Sequence, residues 1–148
     1  MLLKLDHVGI VAHTWEEARL VLVEDLGLTL DTDRTPMPDG SYFAPEQTHN
    51  YFVQVGEGET QIEVLIPDGT TSGTSRYLAR FGPGLHHLGY AVRDVEAEAG
   101  RLRENGLRQL DLGPGDPERL RAAFFHPKSV NGILTELVPE RGSRPRRD

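Results

Sequence analysis

An internal repeat is the feature that most constrains how this chain can fold. The two copies start 80 residues apart, which matches His7 with His87 and Gly9 with Gly89. They begin Leu5-Asp-His-Val-Gly-Ile10 and Leu85-His-His-Leu-Gly-Tyr90. Near the end of each copy, a glutamate lies in an apolar run that ends in a proline, from Glu63 to Pro67 and from Glu136 to Pro139. Each half therefore offers one histidine near its start and one glutamate near its end.

The two halves show the same order of predicted elements. In the first half, the pattern predicts a strand at 3–11, a helix with Thr14 as its N-cap, a strand at 28–31, a loop at 33–42, and a hairpin of strands at 50–55 and 60–66. The second half repeats this order, with a strand at 85–92, a helix capped by Asp94, a strand at 107–110, a loop at 113–117, and a hairpin of strands at 121–126 and 132–138. Each half is a βαβββ module, which is too small to bury both faces of its sheet alone.

The repeat also predicts a set of metal ligands. In a sheet built from two related modules, the first and last strands of each copy reach matching places, so His7, Glu63, His87 and Glu136 converge. Two imidazoles and two carboxylates suit a divalent ion such as Co²⁺, Ni²⁺, Mn²⁺ or Zn²⁺ and leave positions for water or substrate. A lone histidine on a strand is more often a core residue, but four residues in register across a repeat favour a metal site. His86 is expected to point outward or to support a ligand from behind.

These observations together predict the fold class and the domain organisation. The fold class is α+β, with two βαβββ modules that pair edge to edge into a curled mixed sheet around the metal site. The modules span 1–68 and 85–139, within one domain at 3–139, and a polar connector at 69–84 includes a short helix capped by Ser75. Residues 140–148 are rich in arginine and almost free of apolar residues, which predicts a disordered basic tail.

Composition argues against several classes of function. The sequence has no apolar run long enough to span a bilayer and no signal-like start, so we expect a cytoplasmic protein without a membrane partner. A net charge of −7 argues against nucleic-acid binding. Because the chain has no cysteine, it forms no disulfide and must hold any metal with nitrogen and oxygen ligands.

With these motifs, residues 3 to about 139 resemble the vicinal-oxygen-chelate superfamily, which includes glyoxalase I, extradiol dioxygenases and drug-resistance proteins. Within it, the chain is most similar to the methylmalonyl-CoA epimerases. The likeness rests on Leu5-Asp-His-Val-Gly-Ile10, Pro45-Glu-Gln47, Gly84-Leu-His-His87, Phe125-His-Pro-Lys-Ser129 and Gly132-Ile-Leu-Thr-Glu-Leu137. The His-Pro-Lys-Ser stretch is the most specific of these motifs.

The resemblance implies a glyoxalase-like fold and a divalent metal held by His7, Glu63, His87 and Glu136. The implied reaction moves a proton α to the thioester carbonyl of an acyl-CoA such as methylmalonyl-CoA, with Glu136 and Glu63 as the bases on the two faces. It also implies a homodimer. By position, Lys128 and Arg121 are candidates to bind the phosphates of the substrate, although solvated surface charge is an equally good explanation of both.

Two departures from the epimerase pattern keep other functions open. Some epimerases have a glutamine as the second ligand and a separate carboxylate on the preceding strand. Here Asn50 stands where that carboxylate would be, which makes it a candidate substrate contact, and Glu63 matches the glyoxalase I pattern instead. The alternatives are therefore a lactoylglutathione lyase of the glyoxalase I type and a drug-binding protein without enzymatic activity. Four intact ligands argue against the second alternative.

Overall fold

The computed structural model describes residues 1–112 and 122–142. Strands make up most of the regular structure. They are β1 (Lys4–Val11), β2 (Thr29–Leu30), β3 (Ser41–Phe43), β4 (Thr48–Gln54), β5 (Gln61–Pro67), β6 (Gly84–Val92), β7 (Ala123–Phe125) and β8 (Thr135–Pro139). The helices are α1 (Trp15–Arg19), which continues as a π-helical segment (Leu20–Asp25), α2 (Gly73–Phe81) and α3 (Val95–Glu104).

The strands form one mixed sheet in the order β2-β4-β5-β1-β6-β8-β7, and β3 pairs with β4. β1 and β5 run parallel, whereas β4 and β5 form the predicted antiparallel hairpin. β7 and β8 form the second predicted hairpin. These pairings confirm the predicted α+β class with a mixed sheet. No helix among the described residues is long and apolar enough to cross a membrane.

The chain divides into two compact units, and the first spans Asp6–Leu88. In this unit, α1 and its π-helical continuation cover one face of the sheet, where the ring of Trp15 stacks on that of Tyr51 with centroids 4.4 Å apart. On the other face, Leu78 of α2 packs against Val11 and Leu65. Side chains alternate along a strand, so this face also carries His7, Gln61, Glu63 and Phe52. In the strand register, His7 pairs with Gln61 and Glu63 pairs with Phe52.

The second unit contains Met1–Leu5 and the chain from Gly89 onward. Its core forms where α3 packs on the strands through Ala99, and it includes Val92, Phe125 and Leu137. The buried carboxylate of Glu98 accepts hydrogen bonds from Arg101, at 2.5 and 3.0 Å, and from the Met1 ammonium group. These bonds lower the pKa of Glu98 to about 2.

The structure confirms two of the predicted helix caps and corrects a third. Thr14 and Asp94 cap their helices as predicted, each accepting a hydrogen bond from a backbone N–H three residues later. The cap of α2, however, is Ser72 rather than Ser75, because the Ser72 hydroxyl accepts from the Ser75 N–H at 3.1 Å. The unit boundaries fall inside β1 and β6, so the predicted module bounds 1–68, 69–84 and 85–139 stay predictions.

Two segments differ from the expected strands and loops. The predicted loop at 33–42 ends in β3, which pairs with β4. The predicted strand at 107–110 is reduced to a single bridge between Gln109 and Phe125, although two backbone hydrogen bonds flank it. The predicted loop at 113–117 and residues 143–148 of the predicted tail lie outside the described residues.

Candidate metal centre

Three of the four predicted ligands meet on one face of the sheet in the first unit. His7 comes from β1, Glu63 from the parallel neighbour β5, and His87 from β6. In the β1–β5 register, Gly9 lies beside Glu63, so the glutamate follows His7 by one step along the same face. All three side chains are buried, with exposures of 1% for His7, 7% for Glu63 and 5% for His87.

The atoms of these side chains that can bind a metal converge. The Nε2 atoms of His7 and His87 are 3.0 Å apart. Oε1 of Glu63 lies 3.4 Å from Nε2 of His87 and 3.9 Å from Nε2 of His7. The two imidazole rings meet edge to face at an interplanar angle of 79°. Three buried side chains therefore direct three donor atoms at one point.

These separations fit a single divalent ion. With bonds of about 2.1 Å, two ligand atoms on one ion are about 3.0 Å apart at a right angle and about 3.4 Å apart at a tetrahedral angle. Two of the three observed separations, 3.0 and 3.4 Å, have these values, and the third is 3.9 Å. The donor set of two nitrogens and one oxygen suits the borderline divalent ions. The residues in place thus fit a metal centre.

Gly9 makes room for the ring of His87. A Cβ atom built on Gly9 would lie 2.1 Å from two ring atoms of His87, Cε1 and Nδ1. This separation is far below van der Waals contact, so any side chain at position 9 would displace the imidazole. Gly9 is therefore part of the centre although it provides no ligand atom.

A carboxylate fixes the tautomer of His7. Nδ1 of His7 lies 2.8 Å from Oδ1 of Asp6, which is itself 1% exposed. A carboxylate only accepts hydrogen bonds, so Nδ1 carries the proton and Nε2 keeps its lone pair for a metal. Carboxylate partners of this kind orient metal-binding histidines and increase their basicity.

A second histidine supports His87 from the far side. Nδ1 of His86 lies 2.9 Å from Nδ1 of His87, so one of the two nitrogens donates to the other. The His86 ring also meets the ring of Tyr77 edge to face, with centroids 5.0 Å apart. This contact agrees with the predicted place of His86 behind His87, and its supporting role stays a prediction.

Four further residues were predicted for the site. Glu136 is buried on β8 in the second unit, and Lys128 is exposed on the turn between β7 and β8. Asn50 is buried on β4, on the same face as Glu63, and its Oδ1 has no hydrogen-bond partner among the described residues. Arg121 lies outside the described residues. The roles of these four residues stay predictions.

Sequence reasoning missed the residues that surround His7. Arg34, in the segment between β2 and β3, places its guanidinium 3.6 Å from the centroid of the Phe52 ring and 3.5 Å from Asp6. It also donates to Oε1 of Gln61 at 2.8 Å. The one available signal was Asp6, an acidic residue next to a predicted histidine ligand. Nothing in the pattern pointed to Arg34, because only the folded loop brings it to β1.

Comparison with known proteins identifies a matching family and similar proteins. A family model described as the Glyoxalase/Bleomycin resistance protein/Dioxygenase superfamily matches residues 6–125. The uncharacterised protein YqjC of Bacillus subtilis (strain 168) is 27% identical over 143 residues, which cover 95% of either chain. An ethylmalonyl-CoA/methylmalonyl-CoA epimerase of Cereibacter sphaeroides is 40% identical over 83 residues, which cover 53% of this chain and 60% of that protein.

Solved structures of epimerases resemble this protein over nearly the whole length of its chain. The methylmalonyl-CoA epimerase of Streptomyces coelicolor, solved as a variant in complex with 2-nitronate-propionyl-CoA, superposes with a TM-score of 0.81 at 25% identity. The superposition covers 96% of this chain and all of that one. These similarities confirm the glyoxalase-like fold that the family resemblance implied. Because the family model matches most of its length, the chain belongs to the Glyoxalase/Bleomycin resistance protein/Dioxygenase superfamily.

Proposed function

We propose that this protein is a metal-dependent epimerase that moves a proton α to the thioester carbonyl of an acyl-CoA such as methylmalonyl-CoA. The observation that carries the proposal is the buried convergence of His7, Glu63 and His87 in a chain whose relatives include epimerases of this class. The solved complex of one neighbour with an acyl-CoA analogue supports the substrate class.

Glu136 is the fourth ligand in this proposal. It is buried on β8, which neighbours β6 in the sheet as β5 neighbours β1, so it corresponds to Glu63 in the repeat. The two carboxylates offset the charge of a divalent ion, and the two imidazoles bind it as neutral ligands. Cobalt, nickel, manganese and zinc all accept this ligand set, and cellular supply helps to choose among them.

The protonation of the two histidines follows from their outer contacts. His7 holds its proton on Nδ1, toward Asp6, and presents Nε2 to the centre. In the metal-free protein, Nε2 of His87 donates to Nε2 of His7, because that atom is an acceptor. With a metal bound, Nδ1 of His87 would hold the proton and donate a hydrogen bond to Nδ1 of His86, whose own proton would then lie on Nε2. Both ligands then offer lone pairs to the metal without any change in charge.

A bound divalent ion would supply Lewis-acid chemistry, which lowers the energy of the enolate that forms when the α-proton leaves. The carboxylate of Glu136 would take the proton from C2 on one face, and Glu63, after taking up a proton from solvent, would return it on the other face. Glu136 would then release its proton to solvent, so that both carboxylates are ionised again before the next turnover. Inversion needs a base on both faces, and Asn50 cannot be one of them because its amide is neutral. Burial of the centre excludes water that would compete for these protons.

Lys128 is proposed to bind a phosphate of the acyl-CoA, since it is an exposed cation in an acidic chain. Arg121 and Asn50 are the other proposed substrate contacts. We also propose that the protein is a cytoplasmic homodimer. Light scattering after size-exclusion chromatography tests the homodimer, which would elute at twice the mass of one chain.

Deuterium uptake at C2 of methylmalonyl-CoA tests the reaction. Mass spectrometry in heavy water would compare the Co²⁺-loaded protein, a metal-stripped sample, Glu136→Gln and the matched surface variant Glu140→Gln. We expect rapid exchange in the loaded protein and in Glu140→Gln. In Glu136→Gln the rate should fall by about 10²- to 10⁴-fold, the usual contribution of a general base.

Exchange that does not exceed the metal-free background would refute the epimerase. The same samples would then be given the methylglyoxal–glutathione adduct, because Glu63 supplies the second carboxylate expected of a glyoxalase I site. Turnover of the adduct would establish the lyase alternative. If neither substrate reacts, a drug-binding protein of the same fold is the reading that remains.

A further inference from the structure

Arg34 makes three different contacts at the edge of the metal centre. Its guanidinium lies 3.6 Å from the centroid of the Phe52 ring. Nη1 donates to Oε1 of Gln61 at 2.8 Å, and Nη2 lies 3.5 Å from Oδ1 of Asp6. An arginine held by a ring, an amide and a carboxylate has its position fixed in three directions.

The residues that hold Arg34 are themselves fixed. Nε2 of Gln61 donates to Oδ2 of Asp31 at 2.7 Å. The other oxygen of Asp31, Oδ1, accepts from the backbone N–H groups of Asp33 and Arg34 at 3.2 and 3.3 Å. Asp31 and Gln61 are buried, so this network is shielded from water. The start of the β2–β3 segment is thereby anchored to β5.

The contact with Asp6 connects this network to a ligand. Oδ1 of Asp6 is shared, since it lies near both the Arg34 guanidinium and Nδ1 of His7. Asp6 is 1% exposed, and a buried carboxylate is stable only with charged or hydrogen-bonding partners around it. Arg34 supplies the positive charge and His7 supplies the second donor. A shift of Arg34 would therefore move the carboxylate that orients the imidazole.

We propose that Arg34 is a positioning residue of the metal centre: it holds Asp6, and through Asp6 it fixes the orientation and tautomer of His7. The inference rests on the proposed metal centre and deepens it. It differs from a purely structural role, in which Arg34 would only anchor the loop to Gln61 and Phe52. In the structural case, loss of Arg34 would lower stability and leave metal affinity unchanged.

Calorimetric titration with Co²⁺, together with the visible spectrum of the bound ion, separates the two roles. The variants are Arg34→Gln, Arg34→Lys and the matched control Arg80→Gln, which removes an exposed arginine that also lies over a ring, that of Phe81. We expect Arg34→Gln to weaken Co²⁺ binding by about 10- to 100-fold, as for other residues that orient ligands. Arg34→Lys should not restore binding, because an ammonium group lacks the planar fork that reaches Gln61 and Asp6 together. Arg80→Gln should match the wild type in affinity and spectrum.

A double-mutant cycle tests whether Arg34 acts through Asp6. We expect Arg34→Gln to change the Kd for Co²⁺ by no more than about twofold in an Asp6→Asn background, because the connection is already broken there. Full additivity of the two effects would overturn the proposal, as would wild-type affinity in Arg34→Gln. Thermal unfolding with and without Co²⁺ gives a second readout for a destabilised variant, in which the stabilisation by metal should be reduced.

These outcomes are distinct from a failure of the proposed function. A wild type that binds Co²⁺ but shows no exchange at C2 refutes the epimerase and leaves the role of Arg34 standing. A wild type that binds no divalent ion overturns both. Normal exchange with unchanged Co²⁺ affinity in Arg34→Gln overturns the role of Arg34 alone.

Discussion

Asp6→Asn should lower both the affinity for a divalent metal and the stability of the metal-free protein. It keeps the size of the side chain and removes its charge. The carboxylate now accepts from Nδ1 of His7 at 2.8 Å. An amide in the same place can either accept from Nδ1 or donate to it, and the second arrangement moves the proton of His7 to Nε2. In that tautomer the nitrogen that faces the centre has no lone pair for a metal.

Two magnitudes follow from the structure. Changes to the groups that orient a metal-binding histidine cost about 10- to 100-fold in affinity, which is about 1.4–2.7 kcal/mol. The free energy of unfolding of the metal-free protein should fall by about 1–2 kcal/mol, because the hydrogen bond to a charged acceptor is weakened. This range includes the loss of the ion pair with Arg34, whose side chain is 24% exposed, so that solvent screens part of the attraction over 3.5 Å. For a chain of this length, the melting temperature should drop by about 2–8 °C.

Calorimetric titration with Co²⁺ and thermal unfolding of the metal-free protein measure the two effects. Asp33→Asn is the matched control, because it makes the same change of charge on an exposed residue nearby. Its affinity for Co²⁺ should equal that of the wild type. If Asp6→Asn is destabilised but binds Co²⁺ as tightly as the wild type, the carboxylate is only structural and the argument for the tautomer is wrong.

Three further predictions concern other parts of the chain. Gly9→Ala should displace the ring of His87, lowering Co²⁺ affinity and destabilising the protein by about 1–3 kcal/mol, while Gly100→Ala, where a Cβ meets only ordinary contact at 3.6 Å, should do neither. Thr35→Val should lower the free energy of unfolding in urea by about 1–3 kcal/mol, because the buried Phe52 N–H loses its acceptor at 2.9 Å; a variant as stable as the wild type would contradict this. Ionised Glu98, whose pKa is lowered from 4.5 to about 2, should contribute stability that is complete above pH 4.5 and is lost as the pH falls from 4.5 toward 2. When the free energy of unfolding is measured at decreasing pH, it should fall less steeply in Glu98→Gln than in the wild type. An identical decline would show that protonation of Glu98 does not cause the loss of stability in acid.

Most of the fold could be predicted from the sequence, because both copies of the repeat show the same order of elements. The hairpins β4–β5 and β7–β8 were predicted within a few residues from alternation and their turn residues. Short elements were harder. β3 has only three residues, and it is a strand because β4 offers it backbone partners, which no local pattern reveals. Likewise, α1 changes to a π-helix after Arg19, where the N–H of Leu26 donates to the carbonyl of Val21.

At the site, the sequence predicted which side chains converge but not the residues that hold them in place. His7, Glu63 and His87 are related by the repeat, so each copy predicts the other. The contacts of Asp6 with Arg34 and of Gln61 with Asp31 join residues about 30 positions apart in the chain. Such contacts depend on the path of the β2–β3 segment, which is set by tertiary packing. In the sequence, Asp6 aligns with His86 and Gln61 with Leu134 of the second copy, so the internal repeat could not predict these contacts.

Arg34 also balances the charge of the proposed metal centre. In the proposed centre, Glu63 and Glu136 already offset a divalent ion, and the two histidines are neutral. Asp6 adds one further negative charge directly behind His7, and Arg34 offsets it from 3.5 Å away. Without Arg34, the loaded centre would carry a net negative charge and would repel an anionic substrate such as methylmalonyl-CoA. The same guanidinium therefore orients a ligand and keeps the centre electrically suited to the acyl-CoA that we propose it binds.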